Sequence, residues 1–490
     1  MAFIDGTVVN VALPALQSSL NATVLDSQWV VESYSLLLTA LLLVGGSLGD
    51  RYGRRRVFLA GVMLFSLASA WCGCAGSASQ LIIARAVQGA GAALLVPGSL
   101  AIIGTSFRGD DRGRAIGTWS GFTAITAAIG PVMGGWLIEH ISWRAVFFIN
   151  LPLALVVWLI SLAYVPESRD ESEKQPLDWR GALLTTIGFG SLVYGLIESS
   201  RFGFSSRPVL VALMTGGLSL TALLFFEART KNPMIPLTLF RSRNFSAANL
   251  LTFFLYSALG GTLFFLPLNL IQVQHYAATA AGAALLPFIL IMFLLSRWSG
   301  GLVHRYGARL PLTVGPMIAA VGFAWFAFPS AGSSYWTGFF PATVVLGLGM
   351  AVSVAPLTTT VMNAVPENRV GVASGINNAI SRAAGLLAIA VLGIVMLHVF
   401  NHSLDERLSK MQIPDPVKRL VNDQRIKLAG AVLPEETPSS LKESVRQAIA
   451  ESFVAGFRTV MTIGSALAFS SGIIALLLLD GKTYLGRPKH

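Results

Sequence analysis

The stretch GSLGDRYGRR, residues 46–55, returns as GGLVHRYGAR at residues 300–309. The two align without gaps on G-x-L-x-x-R-Y-G-x-R, and each copy falls between two long apolar runs. A match placed between corresponding hairpins points to a duplicated unit. The composition says what that unit is built from. The 490-residue chain is 54% apolar and 12% charged, with a mean hydropathy of +0.66, whereas ordinary soluble domains are about one quarter charged. Apolar runs of about 20 residues, enough for a helix to cross about 30 Å of hydrocarbon, recur along nearly its whole length.

This reads as an all-α membrane protein with fourteen expected spans, the last two at residues 370–400 and 452–480. The first repeat copy lies between spans 2 and 3 and the second between spans 10 and 11. A duplicated six-span unit therefore carries two further spans in its middle, bracketed by PESRDESEKQPLDWR (166–180) and EARTKNPMIPLTLFRSRN (227–244). The expected division is a six-helix bundle over residues 1–165, cytoplasmic linkers with two inserted helices over 166–243, a second six-helix bundle over 244–480 and a cytoplasmic tail over 481–490. The segment 401–451 is expected to be an outer loop. Duplicated bundles facing each other across a cavity are the build of many secondary transporters.

The formal charge of +11 suggests a polyanion as partner until the basic residues are placed. Twenty lie in one set of alternate loops, from Arg51, Arg54, Arg55 and Arg56 onward, and three, Arg144, Arg201 and Arg207, in the opposite short loops. That is the positive-inside pattern, so it reports orientation and not nucleic acid, and both termini are expected in the cytoplasm. The segment 401–451 carries eight basic and eight acidic residues, and its length loosens it from the charge rule. Cys72 and Cys74 read as packing residues. No P-loop is present, because the GKT at 481–483 has Leu476 where the first glycine belongs. No metal, cofactor or catalytic pair is expected, and a monomer is.

Certain ionisable and small residues stand out inside the apolar runs. In LIIARAVQGAGAA (81–93), Arg85 and Gln88 share one helix face. A guanidinium at that depth costs about 2.5–3.5 kcal/mol on insertion scales, so Arg85 must face a polar cavity. Around Gly46, Asp50, Arg51, Gly53, Arg54 and Arg55, glycines allow close helix approach. Asp50 can there meet a helix N-terminus or an arginine and latch one conformation.

These stretches resemble the major facilitator superfamily, specifically its 14-helix drug:proton antiporters of the EmrB/QacA type, over essentially the whole chain. The residues 45–59 resemble the family's loop between helices 2 and 3, and residues 81–93 its fourth-helix motif. AITAAIGPVMGGWL (124–137) resembles the antiporter motif, with Gly130, Pro131, Gly134 and Gly135 in place and Thr126 where a further glycine is usual. FIDGTVVNVALPAL (3–16) and WVVESYSLLL (29–38) resemble the first two helices of that branch. The resemblance implies proton-coupled export of lipophilic, cationic drugs from the cytoplasmic membrane; export of one endogenous metabolite or lipid is the alternative reading, and a membrane sensor that transports nothing a more distant one. It assigns Asp5 and Glu32 to proton or substrate, with Arg85 tuning the first-helix acid. Asp5→Asn is then expected to end proton-driven export and leave folding intact. Asn10 and Gln88 are further cavity candidates. Arg382 is either a second intramembrane cation or a helix-end residue. Family members usually carry a tail and half a helix before this aspartate, and sixteen residues cover only about 24 Å. The natural chain is therefore expected to begin upstream of Met1.

Overall fold

The computed structural model describes residues 1–106, 122, 126, 129–168, 178–230, 233, 236–366, 369–411, 413–431 and 439–480. Among them all regular secondary structure is helical. The first helices are α1 (Ala2–Leu20), α2 (Val24–Tyr52), α3 (Arg54–Cys74) and α4 (Ala78–Ser106), followed by α5 over residues 129–140, α6 (Ala145–Phe148) and α7 (Asn150–Tyr164). The inserted pair is α8 (Trp179–Phe202) and α9 (Arg207–Arg229). Then come α10 (Arg243–Leu268), α11 (Ala278–Ala283), α12 (Leu286–Gly300), α13 (Leu302–Tyr306), α14 (Arg309–Trp325) and α15 (Phe340–Asn363). Finally α16 (Val370–Ser409), α17 (Asp415–Asp423) and α18 (Ser439–Leu478) complete the chain.

Helices occupy the described parts of the expected spans; of the fifth, residues 113–138, only 122, 126 and 129–138 are described. Among the described residues ten helices are long and apolar enough to cross a membrane, and α14 is a shorter apolar helix. Burial separates the central from the peripheral ones. The most apolar stretches of the helices at Arg243–Val273 and Val372–Ser409 are 61% buried, against 17% for that of Arg207–Arg229. So α10 and α16 form the middle of the bundle, while α9 turns Val211, Met214 and Leu218 outward, as lipid contact requires.

The repeat has a conformational signature. Gly53 ends α2 with φ 109°, and Gly307 ends α13 with φ 74°. Both lie in territory that side chains rarely enter, which is why the R-Y-G triplet ends on glycine twice. In each copy the arginine lies over the neighbouring tyrosine ring, Arg51 at 5.4 Å and Arg305 at 5.2 Å. Close packing of paired helices repeats too. A β-carbon on Gly61 of α3 would lie 2.8 Å from Leu94 Cβ of α4, and one on Gly349 of α15 would lie 2.7 Å from Ala319 Cα of α14. In lipid, where no hydrophobic force draws helices together, such small residues let backbones touch.

The segment 401–451, in which SSLKES (439–444) reads in sequence as a capping box opening a helix into the last span, is helical over most of its described length. Helix α16 runs to Ser409 and α18 begins at Ser439, each with 40 residues, and between them lie α17 and a 3-10 turn at Arg425–Gly430. The reason lies in its patterning. Phe400, Leu404 and Leu408 on α16 and Val445, Ala448 and Ile449 on α18 are buried. The charges take the remaining faces, pairing Arg407 with Glu451 and Asp405 with Arg425. High charge density here marks amphipathic helix ends that continue the membrane helices. The side chain of Asp50 and the residues 169–177 and 481–490, on which other expectations rest, lie outside the described residues.

Candidate functional site

Asp5 sits on α1 with 1% of its surface exposed, and two helices, α4 and α7, bring donors to it. Arg85 of α4 forms an ion pair with its carboxylate through Nη1. Gln88, one turn further, donates Nε2 to Asp5 Oδ1 at 2.9 Å, and Asn150 of α7 donates Nδ2 to the same oxygen at 3.2 Å. The two amides also donate to Ser69 Oγ of α3, at 3.2 and 3.0 Å, and Ser69 donates to the Phe147 carbonyl at 2.8 Å. Arg85 is held further by Nε to the Val30 carbonyl at 3.1 Å and by Nη1 to Gln88 Oε1 at 2.7 Å. Its guanidinium lies 4.2 Å from the centre of the Tyr34 ring, within cation–π range. Arg85, Gln88, Asn150 and Ser69 are all buried. A buried ion pair survives only when further hydrogen bonds saturate both partners, and that is what this polar knot supplies.

Beside the knot lies a cavity of about 210 Å³, lined by Gly6, Thr7, Tyr34, Ser35, Arg85 and Arg382, with apolar residues completing the wall. Arg85 lines this cavity, and Arg382 reaches the same space from α16. Gln88 belongs to the knot, whereas Asn10 is half-buried and does not line this cavity.

Glu32 is not brought to Asp5. It is fully buried on α2, and neither of its carboxylate oxygens finds a hydrogen-bond partner among the described residues. Its neighbours along the helix show where it lies. Gln28 donates to the Ile389 carbonyl of α16 at 3.1 Å, and Trp29 donates to Glu198 Oε1 of α8 at 3.3 Å. Glu32 follows these by four and three residues, so it lies on the side of α2 that meets α8 and α16.

The loop between α2 and α3 is latched by an acid from the end of the first bundle. Glu167, just after α7, accepts from the backbone N–H of Arg55 at 3.1 Å and of Arg56 at 3.2 Å, and pairs with the Arg56 guanidinium at 3.6 Å. Arg54 N–H donates to the Ser168 carbonyl at 2.9 Å, and Arg55 Nη1 donates to the Val165 carbonyl at 3.0 Å. The α3 N-terminus thus receives a carboxylate, as its dipole favours. A β-carbon on Gly53 would lie 2.7 Å from Glu167 Oε1. Gly53→Ala is expected to cost about 1–3 kcal/mol through its backbone conformation alone. A lowered thermal midpoint of the detergent-purified protein, against a smaller drop for Glu167→Gln, checks this.

The glycines of α5 serve two contacts. Gly134 faces Val8 of α1, where a β-carbon would stand 2.8 Å from Val8 Cγ1. Gly135 faces α11, where a β-carbon would stand 2.5 Å from Thr279 Cα, and one on Gly282 would stand 2.5 Å from the Pro131 carbonyl carbon. The same seam is closed by Glu139, which accepts from Thr279 N–H and Oγ1, both at 2.8 Å. That backbone N–H holds the Glu139 carboxyl below its ordinary 4.5. The contact is thus present near neutral pH and lost as pH falls through the lowered value. Two further ties join the halves at this end, Gln272 Nε2 to Gln17 Oε1 at 2.6 Å and Lys427 Nζ to Asn21 Oδ1 at 2.5 Å.

Asn150, Ser69, Tyr34 and Glu167 are the site residues that sequence reasoning missed. Asn150 stands in WRAVFFINLPL, an apolar run in which a lone amide was the available signal.

An all-helical, multi-pass bundle with a charged and enclosed centre is the build of a membrane transporter. The profile of the Major Facilitator Superfamily matches residues 1–389, and the chain belongs to that family of membrane transporters. It is 34% identical to the multidrug resistance protein Stp of Mycobacterium tuberculosis, over 100% of this chain and 90% of that one. It is 31% identical to the tetracenomycin C resistance and export protein of Streptomyces glaucescens, over 97% and 89%. Among solved structures, a bacterial homolog of the human lysosomal transporter Spinster, inward-facing and unoccupied, matches with a TM-score of 0.64 at 18% identity. That match covers 97% of this chain and 94% of the other.

Proposed function

We propose that this protein is a proton-coupled antiporter that exports lipophilic compounds across the cytoplasmic membrane by alternating access. The observation that carries the reading is the buried Asp5–Arg85 pair beside the cavity. Protonating Asp5 cancels its attraction to Arg85 and frees α1 from α4, while deprotonation restores both, so one proton selects between two arrangements of the knot. Glu32, buried without a hydrogen-bond partner among the described residues, is the second proton site and acts at the seam between α2, α8 and α16. The closed seam of α5 against α11 then forms the outer gate, and the latched α2–α3 loop stands on the cytoplasmic side, where the basic loops gather. The two bundles, residues 1–165 and 244–480, move against each other as units, and the chain works as a monomer with both termini cytoplasmic. The names of the relatives support export as the direction.

The test uses everted membrane vesicles carrying a pH-sensitive dye. On addition of a transported lipophilic compound, wild-type vesicles with an acid interior are expected to release protons, and Asp5→Asn vesicles are expected not to. Cargo uptake by wild-type vesicles that is insensitive to a collapsed proton gradient would remove proton coupling from the reading.

A further inference from the structure

The charges around the cavity do not balance. Arg85 is one of two cations facing it, and Asp5 neutralises it. Arg382 is the other. It has neither an ion pair nor a hydrogen bond among the described residues, and its Nε is buried without a partner. Among the described residues no carboxylate stands in the cavity wall. Glu32, which shares α2 with Val31, Tyr34 and Ser35 of that wall, turns away from it. An uncompensated guanidinium beside apolar walls is costly, and an incoming negative charge is what would relieve it. Arg is suited to that role because its planar fork can donate two parallel hydrogen bonds to one acidic group. Thr7 and Ser35 bring hydroxyls to the same space, and Val9, Val31, Leu38 and Val96 supply the apolar wall.

We infer that the cavity binds cargo bearing an acidic group, a carboxylate or one of similar chemistry on a lipophilic body, with Arg382 as the partner of its negative charge. This rests on the export reading above and replaces the expected cationic cargo. The geometry explains why a cation fits poorly. Asp5, which precedes the lining residues Gly6 and Thr7, already accepts from Arg85, Gln88 and Asn150, so a bound cation would have to displace Arg85 to reach it.

Three probes of one shape and different charge separate the possibilities: 1-naphthoate, neutral 1-naphthamide and 1-naphthylmethylammonium. Each is offered to proteoliposomes containing the full chain, with a proton gradient imposed. Wild type is expected to transport naphthoate at least tenfold faster than the ammonium probe. Arg382→Gln is expected to lower naphthoate transport at least tenfold and to leave naphthamide within twofold, while Arg382→Lys keeps most of the naphthoate rate. An equal loss for naphthoate and naphthamide in Arg382→Gln would assign Arg382 to the conformational cycle and overturn the inference. Preference of wild type for the ammonium probe would overturn it and leave the export reading standing. Transport of none of the three by a monodisperse wild-type preparation would remove both.

Discussion

Asp5→Asn is expected to stop transport and also to destabilise the protein by about 3–5 kcal/mol, the usual cost of removing one partner from a buried ion pair. The sequence-based expectation of intact folding is revised here by the surroundings of the carboxylate. Asp5 and Arg85 each have 1% of their surface exposed, so the asparagine variant leaves a guanidinium charge with neither water nor counter-charge. The double variant Asp5→Asn with Arg85→Met removes the stranded charge along with its partner. Apolar replacement of a buried pair is often neutral or stabilising, so the thermal midpoint is expected to return to near the wild-type value. Transport is expected to stay absent in the double variant, because no carboxyl group remains in the knot. Stability and activity are thereby read separately. If Asp5→Asn unfolds at the wild-type midpoint, the pair is not the clamp described here. If the double variant transports, the pair lies outside the mechanism.

Much of this was legible in the sequence, and the reason is physical. A charge within an apolar run must find a partner, so Asp5, Arg85 and Gln88 could be named before any coordinates. The repeat could be read because its two copies align between corresponding apolar runs, and the positive φ of Gly53 and Gly307 gives the physical reason that glycine stands in both. Residues whose meaning depends on three-dimensional neighbours were not legible. Asn150 and Ser69 are uncharged, and nothing in their own helices shows that they converge on Asp5. Glu167 lies in a charged linker, where any of several acids could have capped α3. Glu32 and Asp5 looked alike as carboxylates in apolar runs, yet Asp5 on α1 meets donors from α4 and α7 while Glu32 on α2 finds none among the described residues. Cys72 and Cys74 divide in the same way. Cys72 is buried with its thiol 3.7 Å from Gln88 Oε1, and Cys74 is exposed.

Gly135→Val is expected to cost at least tenfold in transport while the protein stays folded, because the substitution acts on a seam and not on a core. A β-carbon there would stand 2.5 Å from Thr279 Cα, and backbone cannot yield as a flexible side chain can. The helix α5 and the start of α11 must separate, and Glu139 then loses its two bonds to Thr279. What fails is closure of this end of the bundle, the step that alternating access needs once per cycle. Gly217→Val is the matched control, since that glycine of α9 has open space around it and the variant is expected to transport as wild type does. Ala281 reports on the seam directly because it is fully buried beside Gly282. With Cys72 and Cys74 replaced by alanine, an Ala281→Cys probe is expected to react with a membrane-impermeant maleimide several times faster in the Gly135→Val background than in the Gly217→Val one. Equal labelling rates with transport lost would mean that the glycine acts elsewhere than at this gate. Acidification should move the labelling of the parent probe in the same direction, since protonated Glu139 can no longer accept both bonds from Thr279.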